Sequence, residues 1–350
     1  MSSFYKLSIR DIRRETPEAI SVAFNVPEPL QQFYDFTAGQ YVTLKLMYDG
    51  QEIRRAYSIC SAPGSNELRI AIKSVKPGTF SHFANENLHV GDIIEVGLPE
   101  GSFTFVPDAG RQRNYAAFAA GSGITPVMAI LQCVLENEPN STFVLIYGNK
   151  TPEQTIFHDQ LHELENKYTG RFFVHYVFSQ AKVEPHLFGR IERSTVNFIL
   201  KNKYKEVTFS KFWLCGPEEM ITLVSDVLKE QNVREKDIRF ELFVPPKANA
   251  AAVPATEGHT QITVMVDDEE ATFEMSSKQT VLEAALKQGI DAPYSCQGGI
   301  CSSCLARIKK GSAKMVKNAI LTDGEIAKGL ILTCQAHPTS DELYVDYDDV

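Results

Sequence analysis

The sequence has no apolar run long enough to span a membrane, and it has fewer basic than acidic residues. No stretch reaches the roughly 18 apolar residues that a membrane-spanning helix needs, and residues 1–6 lack the apolar core of a signal peptide. The 44 acidic residues outnumber the 35 basic ones, and the net charge of −9 argues against nucleic-acid binding. We therefore expect a cytoplasmic protein that binds neither a membrane nor a nucleic acid.

Residues arranged for nucleophilic or zinc-dependent hydrolysis are also lacking. The eight histidines show no metal-ligand spacing. His158 and His162 are four residues apart on a predicted helix, but Asp159 and Gln160 do not complete an H-E-x-x-H motif. We therefore expect surface histidines, and no catalytic nucleophile with a general base.

The chain of 350 residues, 43% hydrophobic and 23% charged, is long enough for two or three folded domains. Residues 5–107 contain short predicted strands separated by turn residues, a pattern typical of a barrel or a sandwich. Strands and helices alternate over residues 114–243, which favours a parallel α/β sheet. We expect domains at 1–108, 109–243 and 261–350, with a Pro- and Ala-rich linker at 244–260.

Periodicity and capping residues predict the individual elements. The strand candidates are 5–12, 20–26, 40–46, 54–60, 67–73, 92–96, 115–120, 142–147, 172–178, 212–214, 239–243, 261–266 and 271–275. Thr125-Pro126, Thr151-Pro-Glu-Gln154 and Gly216-Pro-Glu-Glu219 each predict the start of a helix. Thr280-x-x-Glu283 predicts a further helix, which ends at Gly289.

The last module is more acidic than the rest of the chain. From Gln261 onward, 14 acidic and 8 basic residues give −6, whereas the first 260 residues carry 30 acidic and 27 basic residues, giving −3. An acidic module suits docking to a basic patch on a partner protein. Plain solubility explains the same charge equally well.

Four of the seven cysteines lie close together in the last 55 residues, whereas Cys60, Cys133 and Cys215 are scattered. The spacing Cys296-x4-Cys301-x2-Cys304, followed by Cys334, is that of a plant-type [2Fe–2S] cluster. Glycines 298 and 299 allow the tight bends that such a loop needs. Ordinary reduced cysteines or a zinc site are the alternatives, although zinc motifs usually pair two short knuckles.

A glycine-rich turn, Gly121-Ser-Gly-Ile-Thr-Pro126, follows a predicted strand and opens a helix. Its glycines let the backbone approach a pyrophosphate, and the helix N-terminus attracts the negative charge. Pro126 stands at the third glycine position of the dinucleotide fingerprint, so an ordinary tight turn is the alternative. Cys215-Gly-Pro217 ends a later strand, and both turns should open on one crevice at the carboxyl ends of the strands.

Two further short motifs lie in the first domain. Arg55-Ala-Tyr-Ser58 is on a predicted strand, and Pro77-Gly-Thr-Phe-Ser81 is in a predicted turn. Arginine suits phosphate oxygens because its guanidinium is a planar fork of donors. By themselves these residues fit an exposed polar ladder equally well.

Residues 293–304, with Leu332-Thr-Cys-Gln-Ala336, resemble plant-type ferredoxins. The resemblance implies an α+β, β-grasp fold for residues 261–350 and four cysteine ligands to a [2Fe–2S] cluster. The order of the three modules, with the motifs R-x-Y-S, G-x-G-I-T-P and C-G-P, resembles the ferredoxin–NADP⁺ reductase superfamily, in particular its three-domain oxygenase reductases. This resemblance implies an antiparallel β-barrel that binds FAD, followed by an α/β domain that binds NAD(P)H.

The resemblance also implies roles for individual residues. Arg55 would pair with the FAD pyrophosphate, Tyr57 would pack on the isoalloxazine, and Ser58 would hydrogen-bond near the flavin N5. Ala56 stands where many members have proline, and Pro77 replaces the first glycine of the pyrophosphate turn. Glu241 lies where relatives bring an acid or an aromatic residue near the flavin. The expected cofactor-binding residues are Arg55, Ala56, Tyr57, Ser58, Lys73, Gly78, Phe80, Ser81, Gly121, Ser122, Gly123, Thr125, Cys215, Gly216 and Pro217, with Ser58 and Cys215 catalytic. The expected metal ligands are Cys296, Cys301, Cys304 and Cys334.

The expected function is electron transfer from NAD(P)H through FAD and [2Fe–2S] to a multicomponent oxygenase or epoxidase. Residues 147–149, 178–180, 189–191 and 340–347 resemble the subgroup of reductases that serve phenylacetyl-CoA epoxygenases, whose catalytic partner is a diiron enzyme. The resemblance favours NADPH, with Ser179 and Arg190 near a 2′-phosphate, although Gln180 stands where many NADPH enzymes have arginine. The alternatives are a reductase for a separate ferredoxin or haem protein, and a non-catalytic zinc-binding module.

Overall fold

The computed structural model describes residues 4–48, 50–75, 79–243 and 258–350. The chain forms two compact units, a larger one drawn from residues 4–243 and a smaller one that contains residues 258–350. The predicted linker, 244–260, lies outside the described residues except for its last three positions, and His259 already begins a strand. The boundary between the first two domains stays a prediction. No helix in the described part of the chain is long and apolar enough to cross a membrane.

The first half of the larger unit is an antiparallel β-structure. Its sheet has the strand order β4-β3-β6-β1-β2-β5, with antiparallel pairing between β1 and β2, β1 and β6, β2 and β5, and β3 and β6. The strands are β1 Phe4–Thr16, β2 Ala19–Asn25, β3 Tyr41–Tyr48, β4 Gln51–Ser58, β5 Leu68–Lys73 and β6 Ile93–Gly97. Alternate residues such as Leu7, Val22 and Ile70 are fully buried and form the core of the barrel.

A helix replaces part of the turn expected after Pro77. Helix α1, Thr79–Asn87, places Phe80 and Ser81 in its first turn. Phe80 and Ala84 are four residues apart, and both are buried in the barrel core. The helix was missed because packing against the strands stabilises it, and local sequence signals do not show that packing.

The second half of the larger unit is a parallel α/β sheet with the strand order β10-β9-β8-β7-β11-β12, and all of its strand pairs are parallel. The strands are β7 Asn114–Ala120, β8 Thr142–Asn149, β9 Phe172–Phe178, β10 Leu187–Phe188, β11 Phe209–Cys215 and β12 Ile238–Glu241. The helices are α2 Ile124–Asn137, α3 His158–Lys167, α4 Arg193–Asn197 and α5 Glu218–Glu230, and α4 continues into a π-helical turn, Phe198–Lys203. The predicted parallel sheet is confirmed.

The three predicted helix starts in this sheet have different outcomes. Helix α5 begins directly after Pro217 with two acids in its first turn, as expected. Helix α2 begins at Ile124, one residue before the predicted cap, because a 3₁₀ turn at Gly121–Gly123 leads into it. Thr151 precedes another 3₁₀ turn, Pro152–Gln154, and makes no side-chain cap. The capping-box prediction there was therefore wrong, and α3 begins later, after Phe157 in a left-handed conformation.

The smaller unit is a mixed β-sheet with a helix packed on its core, the β-grasp arrangement. Its larger sheet has the order β14-β13-β19-β15-β17, in which β13 and β19 are parallel, and a separate pair joins β16 to β18. The strands are β13 His259–Val266, β14 Glu269–Ser276, β15 Leu305–Lys310, β16 Ala313–Met315, β17 Leu330–Leu332, β18 Ala336–Pro338 and β19 Glu342–Asp346. The helices are α6 Val281–Lys287 and α7 Asp323–Ala327. The capping box predicted at Thr280 and Glu283 is present.

Candidate functional site

The glycine-rich turn packs directly against the end of strand β11. A Cβ atom added to Gly123 would lie 2.1 Å from the carbonyl oxygen of Cys215 and 2.9 Å from the amide nitrogen of Gly216. Strands β7 and β11 are paired neighbours, with Ala119 opposite Cys215, so the segments that follow them leave the same edge of the sheet. The two turns therefore meet at one edge of the sheet.

Lys73 brings positive charge to the glycine turn. Lys73 Nζ lies 3.7 Å from the position that a Cβ of Gly121 would take. Burial lowers the pKa of Lys73, Glu18 opposes that shift, and the nearby charge of Lys150 lowers the pKa further. A lysine at the start of the 14-residue helix α2 makes a site that favours an anion, because the backbone N–H groups there also carry partial positive charge. The turn therefore fits a nucleotide pyrophosphate.

The other residues of the turn have structural contacts of their own. Thr125 is buried, and its Oγ1 donates a hydrogen bond to the carbonyl of Ser122 at 3.0 Å. The hydroxyl of Tyr147 donates to the carbonyl of Gly121 at 2.9 Å, which fixes the turn from the side of β8. Gly216 is closely packed, since an added Cβ would lie 2.8 Å from Met220 Cε. Pro217 caps helix α5.

Ser58, Glu241 and Cys215 come together where the barrel meets the nucleotide domain. Ser58 Oγ, at the end of β4, donates a hydrogen bond to Glu241 Oε2 at 3.3 Å. Glu241 ends strand β12 directly opposite Cys215. Cys215 is fully buried, and burial, followed by the charge of Glu241, raises the pKa of its thiol well above the usual value. The thiol is therefore protonated at neutral pH, and the Glu241 carboxylate connects the two residues expected to be catalytic.

The expected flavin-binding residues occupy strand β4 and helix α1. Arg55 is exposed, and its Nη1 donates to the carbonyl of Arg54 at 2.7 Å, while Ala56 is half-buried. The rings of Tyr57 and Phe80 are 5.7 Å apart, and Phe80 lies in the barrel core. Ser81 Oγ accepts a hydrogen bond from the Val75 amide at 3.3 Å. Gly78 lies outside the described residues.

The four clustered cysteines form two pairs in the smaller unit. A side-chain hydrogen bond joins Cys296 to Cys301 and lowers the pKa of Cys296 to about 7. A second joins Cys304 to Cys334 and lowers the pKa of Cys334. No three His, Cys, Asp or Glu side chains in the part of the chain that the structure describes converge to hold one metal ion. Two pairs of thiols fit a cluster with two irons and four cysteine ligands.

The loop around these thiols is shaped for a buried cluster. Gly298 donates its amide hydrogen to Cys296 Sγ at 3.3 Å. Gly299 has φ +74°, and an added Cβ would lie 2.9 Å from the carbonyl oxygen of Lys317, so both its conformation and its surroundings require glycine. Ser295 Oγ is buried with no hydrogen-bond partner among the described residues, which leaves a donor beside Cys296 for a further acceptor. The residues present therefore fit a [2Fe–2S] group.

Comparison with known proteins assigns a domain family to each of the three modules. The chain matches the family model of an oxidoreductase FAD-binding domain over residues 6–105 and that of an oxidoreductase NAD-binding domain over residues 118–226. It matches the model of a 2Fe–2S iron–sulfur cluster binding domain over residues 264–339. It is also 36% identical over 351 residues to one of the subunits of the 1,2-phenylacetyl-CoA epoxidase of Escherichia coli K12, covering 99% of both chains.

The chain is a three-domain member of the ferredoxin–NADP⁺ reductase superfamily. This reductase is also 31% identical over 360 residues to the ferredoxin reductase component of a 3-ketosteroid-9-alpha-monooxygenase of Mycolicibacterium smegmatis, covering 99% of this chain and 98% of that one. Among solved structures it resembles phthalate dioxygenase reductase, with a TM-score of 0.62, 25% identity and 98% of both chains covered.

These findings confirm the cofactors and the class of enzyme expected from the sequence. The reductase is an NAD(P)H-dependent oxidoreductase with domains for FAD, the nicotinamide nucleotide and a [2Fe–2S] cluster. The match to the iron–sulfur domain model decides against a zinc-binding module.

Sequence reasoning did not single out Lys150, whose charge acts on Lys73. Lys150 directly follows β8 and so stands at the carboxyl end of a parallel strand, as Glu241 does at the end of β12. That position was the available signal, because ligands of open parallel sheets bind at this edge. The neighbours of Lys150 could not be deduced without the strand order.

Proposed function

We propose that this reductase takes electrons from NAD(P)H and delivers them singly to the diiron oxygenase of a phenylacetyl-CoA epoxidase. The observation that carries the proposal is the end-to-end match to a polypeptide of such an epoxidase. That alignment spans all three modules, so the resemblance extends to the nucleotide, flavin and iron–sulfur sites together.

The chemistry needs a converter between paired and single electrons. A nicotinamide gives up two electrons together as hydride and a [2Fe–2S] cluster takes one at a time, so a bound flavin supplies the step between them. The protein has to bind, orient and shield these groups, and the following roles are assigned on that basis.

The glycine turn and Lys73 hold the nucleotide pyrophosphate. Gly123 keeps a side chain out of the space next to Cys215, and the start of α2 presents backbone N–H groups there. Lys73 reaches the turn from the barrel, and the charge of Lys150, which belongs to the nucleotide domain, acts on Lys73. A bound anion therefore relieves the repulsion between the two ammonium groups and ties the two domains together.

Ser58, Glu241 and Cys215 orient the reacting end of the nucleotide against the flavin. The Glu241 carboxylate accepts the hydrogen bond of Ser58 and so fixes the direction of that hydroxyl. Cys215 presents a small, neutral thiol, because burial keeps it protonated. A small neutral thiol at this position lets a planar ring approach and leaves no charged group there to hold water.

The barrel and the last module hold the two resident groups. Arg55, exposed on β4, would pair with the FAD pyrophosphate, and Tyr57, whose ring lies against that of Phe80, would pack on the flavin ring. Cys296, Cys301, Cys304 and Cys334 would hold the cluster, with one thiol pair on each iron. This division follows the pairing of the thiols.

The test is reconstitution with purified oxygenase components. The reductase, loaded with FAD and iron–sulfur cluster, is mixed with the catalytic components of a phenylacetyl-CoA epoxidase, with NADH and NADPH supplied in turn. The expected result is epoxide formation in step with nucleotide oxidation. Nucleotide oxidation without product, under conditions where the cognate reductase yields product, would contradict the proposed partner.

A second acceptor is favoured by the other full-length match. The reductase component of a 3-ketosteroid-9-alpha-monooxygenase aligns over nearly the whole chain as well. The same assay with the oxygenase component of that system separates the two candidates, since product in that mixture alone would assign the chain to a steroid-type oxygenase.

A further inference from the structure

The side chain of Gln335, the residue after Cys334, joins the two loops that carry the clustered cysteines. Its Nε2 donates hydrogen bonds to the carbonyl oxygens of Gln297 and Cys334, each at 3.0 Å. An amide nitrogen carries two hydrogens, and here both are used. Gln297 follows Cys296, so one side chain connects the loop of the first thiol pair to the loop of the second.

The geometry on both sides of this contact is closely determined. Gln297 has φ 51°, a left-handed conformation that is uncommon for residues other than glycine. A Cβ added to Gly299 would lie 3.0 Å from Gln335 Cγ, so the glutamine stem lies across the loop. The backbone of Gln335 is fixed at both ends, since its amide donates to Leu332 and its carbonyl accepts from Val316, each at 2.9 Å.

We propose that Gln335 is a positioning residue that clamps the two cysteine loops together and thereby sets the reduction potential and the retention of the [2Fe–2S] cluster. The inference rests on the proposed assignment of the four cysteines as ligands. The potential of such a cluster depends on nearby hydrogen bonds and on solvent exposure. The clamp acts on both, because it orients the backbone next to Cys296 and Cys334 and closes the gap between the loops.

Two substitutions separate the hydrogen bonds from the shape of the side chain. Gln335→Met keeps the length of the stem and removes both donors. Gln335→Glu places carboxylate oxygens against two carbonyl oxygens and adds a negative charge, which disfavours adding an electron to the cluster. We expect a lower potential in both variants, with the larger shift in Gln335→Glu.

The rate of cluster loss gives a second measurement. Two net hydrogen bonds contribute about 1 kcal/mol each, so iron release to a chelator should be about thirtyfold faster in Gln335→Met. Both quantities are measured on the full-length protein loaded with FAD and cluster, the potential by anaerobic titration followed by EPR. Gln261→Glu makes the same charge change at an exposed position of the same module and should leave both unchanged.

The outcomes distinguish the clamp from the ligand assignment. If the wild-type protein holds no cluster after reconstitution, the ligand assignment fails, and the clamp with it. If the wild type holds the cluster and both Gln335 variants keep its potential and release rate, the clamp alone is overturned. If Gln335→Glu does not fold, Gln335→Met decides, because a potential that shifts at full cluster content is not explained by lower stability.

Discussion

At the scale of single residues, Gly123 shows how little room the nucleotide turn has. Its φ of −62° suits any residue, so the restriction comes from space, because a Cβ would lie 2.1 Å from the carbonyl oxygen of Cys215. We expect Gly123→Ala to lower the free energy of unfolding by about 3 kcal/mol, as overpacking does in a tight core. Nucleotide affinity should fall as well, because the two turns must separate. Urea unfolding and nucleotide titration measure the two effects.

The matched control is Gly110→Ala. The nearest atom to its added methyl group would be Asp108 Oδ1 at 3.5 Å, an ordinary contact. This variant should unfold like the wild type. Equal stability of the Gly123 and Gly110 variants would contradict the close approach of the turn to Cys215.

His175, on β9, should make stability depend on pH. Burial lowers its pKa to about 4, and Lys203 and His186 add to that shift. Nε2 contacts the hydroxyl of Tyr204 at 2.8 Å, and Lys203 Nζ lies 3.4 Å from Nδ1. Because the folded-state pKa lies below the ordinary 6.5, the unfolded chain takes up the proton first as pH falls. The stabilisation is therefore complete above pH 6.5 and is lost towards pH 4, by on the order of 2 kcal/mol.

Replacement of His175 tests this pH dependence directly. The free energy of unfolding of His175→Gln, measured by urea between pH 4 and 7, should change less with pH than that of the wild type. His162→Gln removes an exposed histidine from α3 and should retain the wild-type slope. A His175→Gln curve parallel to the wild type would show that His175 is not buried in its neutral form.

At the scale of elements, helix α6 is connected to the cysteine loops through its first turn. Thr280 and Glu283 form a reciprocal capping box, with bonds of 3.2 Å and 3.0 Å. The amide of Leu282, within that turn, donates to the carbonyl of Thr333 at 3.1 Å. Thr333 precedes Cys334, and its own hydroxyl donates to the carbonyl of Cys304 at 2.9 Å. The start of the helix therefore supports the second thiol pair.

Loss of the cap should weaken the whole module. We expect Thr280→Ala to lower the free energy of unfolding of this module by about 1 kcal/mol. Urea unfolding followed through the visible absorbance of the cluster measures the change. Thr280→Ser keeps the hydroxyl and should retain most of the stability. If the serine variant loses as much as the alanine variant, the capping hydrogen bond is not the cause.

Elements stabilised by local contacts were predicted better than elements stabilised by tertiary packing. The capping box of α6 was predicted correctly because its bonds join residues three positions apart and depend on little else. The boundaries of α2 and α3 were displaced because 3₁₀ turns precede them, and α1 was missed because its stability comes from Phe80 and Ala84 in the barrel core. Local signals therefore predict an element well when local contacts stabilise it.

At the scale of the whole molecule, the chain separates hydride chemistry from delivery of single electrons. The nucleotide residues and most of the flavin residues lie in the larger unit, and the four clustered cysteines lie in the smaller one. Cys334→Ser should therefore abolish the cluster and the electron supply to an oxygenase. NAD(P)H oxidation with a dye that takes electrons from the flavin should stay near the wild-type rate. Iron content, visible absorbance and the two rates measure these effects.

Cys133→Ser is the matched control for this experiment. It makes the same atom change at a buried cysteine of helix α2, outside the cysteine loops. It should keep both the cluster and the coupled activity. A Cys334→Ser protein with full iron content and wild-type coupling would contradict the assignment of that ligand.

The sequence by itself determined the parallel sheet and the cysteine spacing of an iron–sulfur cluster, because spacing and periodicity are local properties of the chain, whereas FAD followed from the resemblance to a known family. The tertiary structure alone decided which residues meet. Lys73 and Glu241 are far from Gly121 and Ser58 in sequence, and strand order and domain packing bring each pair together. The pairing of the thiols and the hydrogen bonds of Gln335 were decided in the same way. These contacts join loops that are distant in sequence, so they depend on the folded arrangement of those loops.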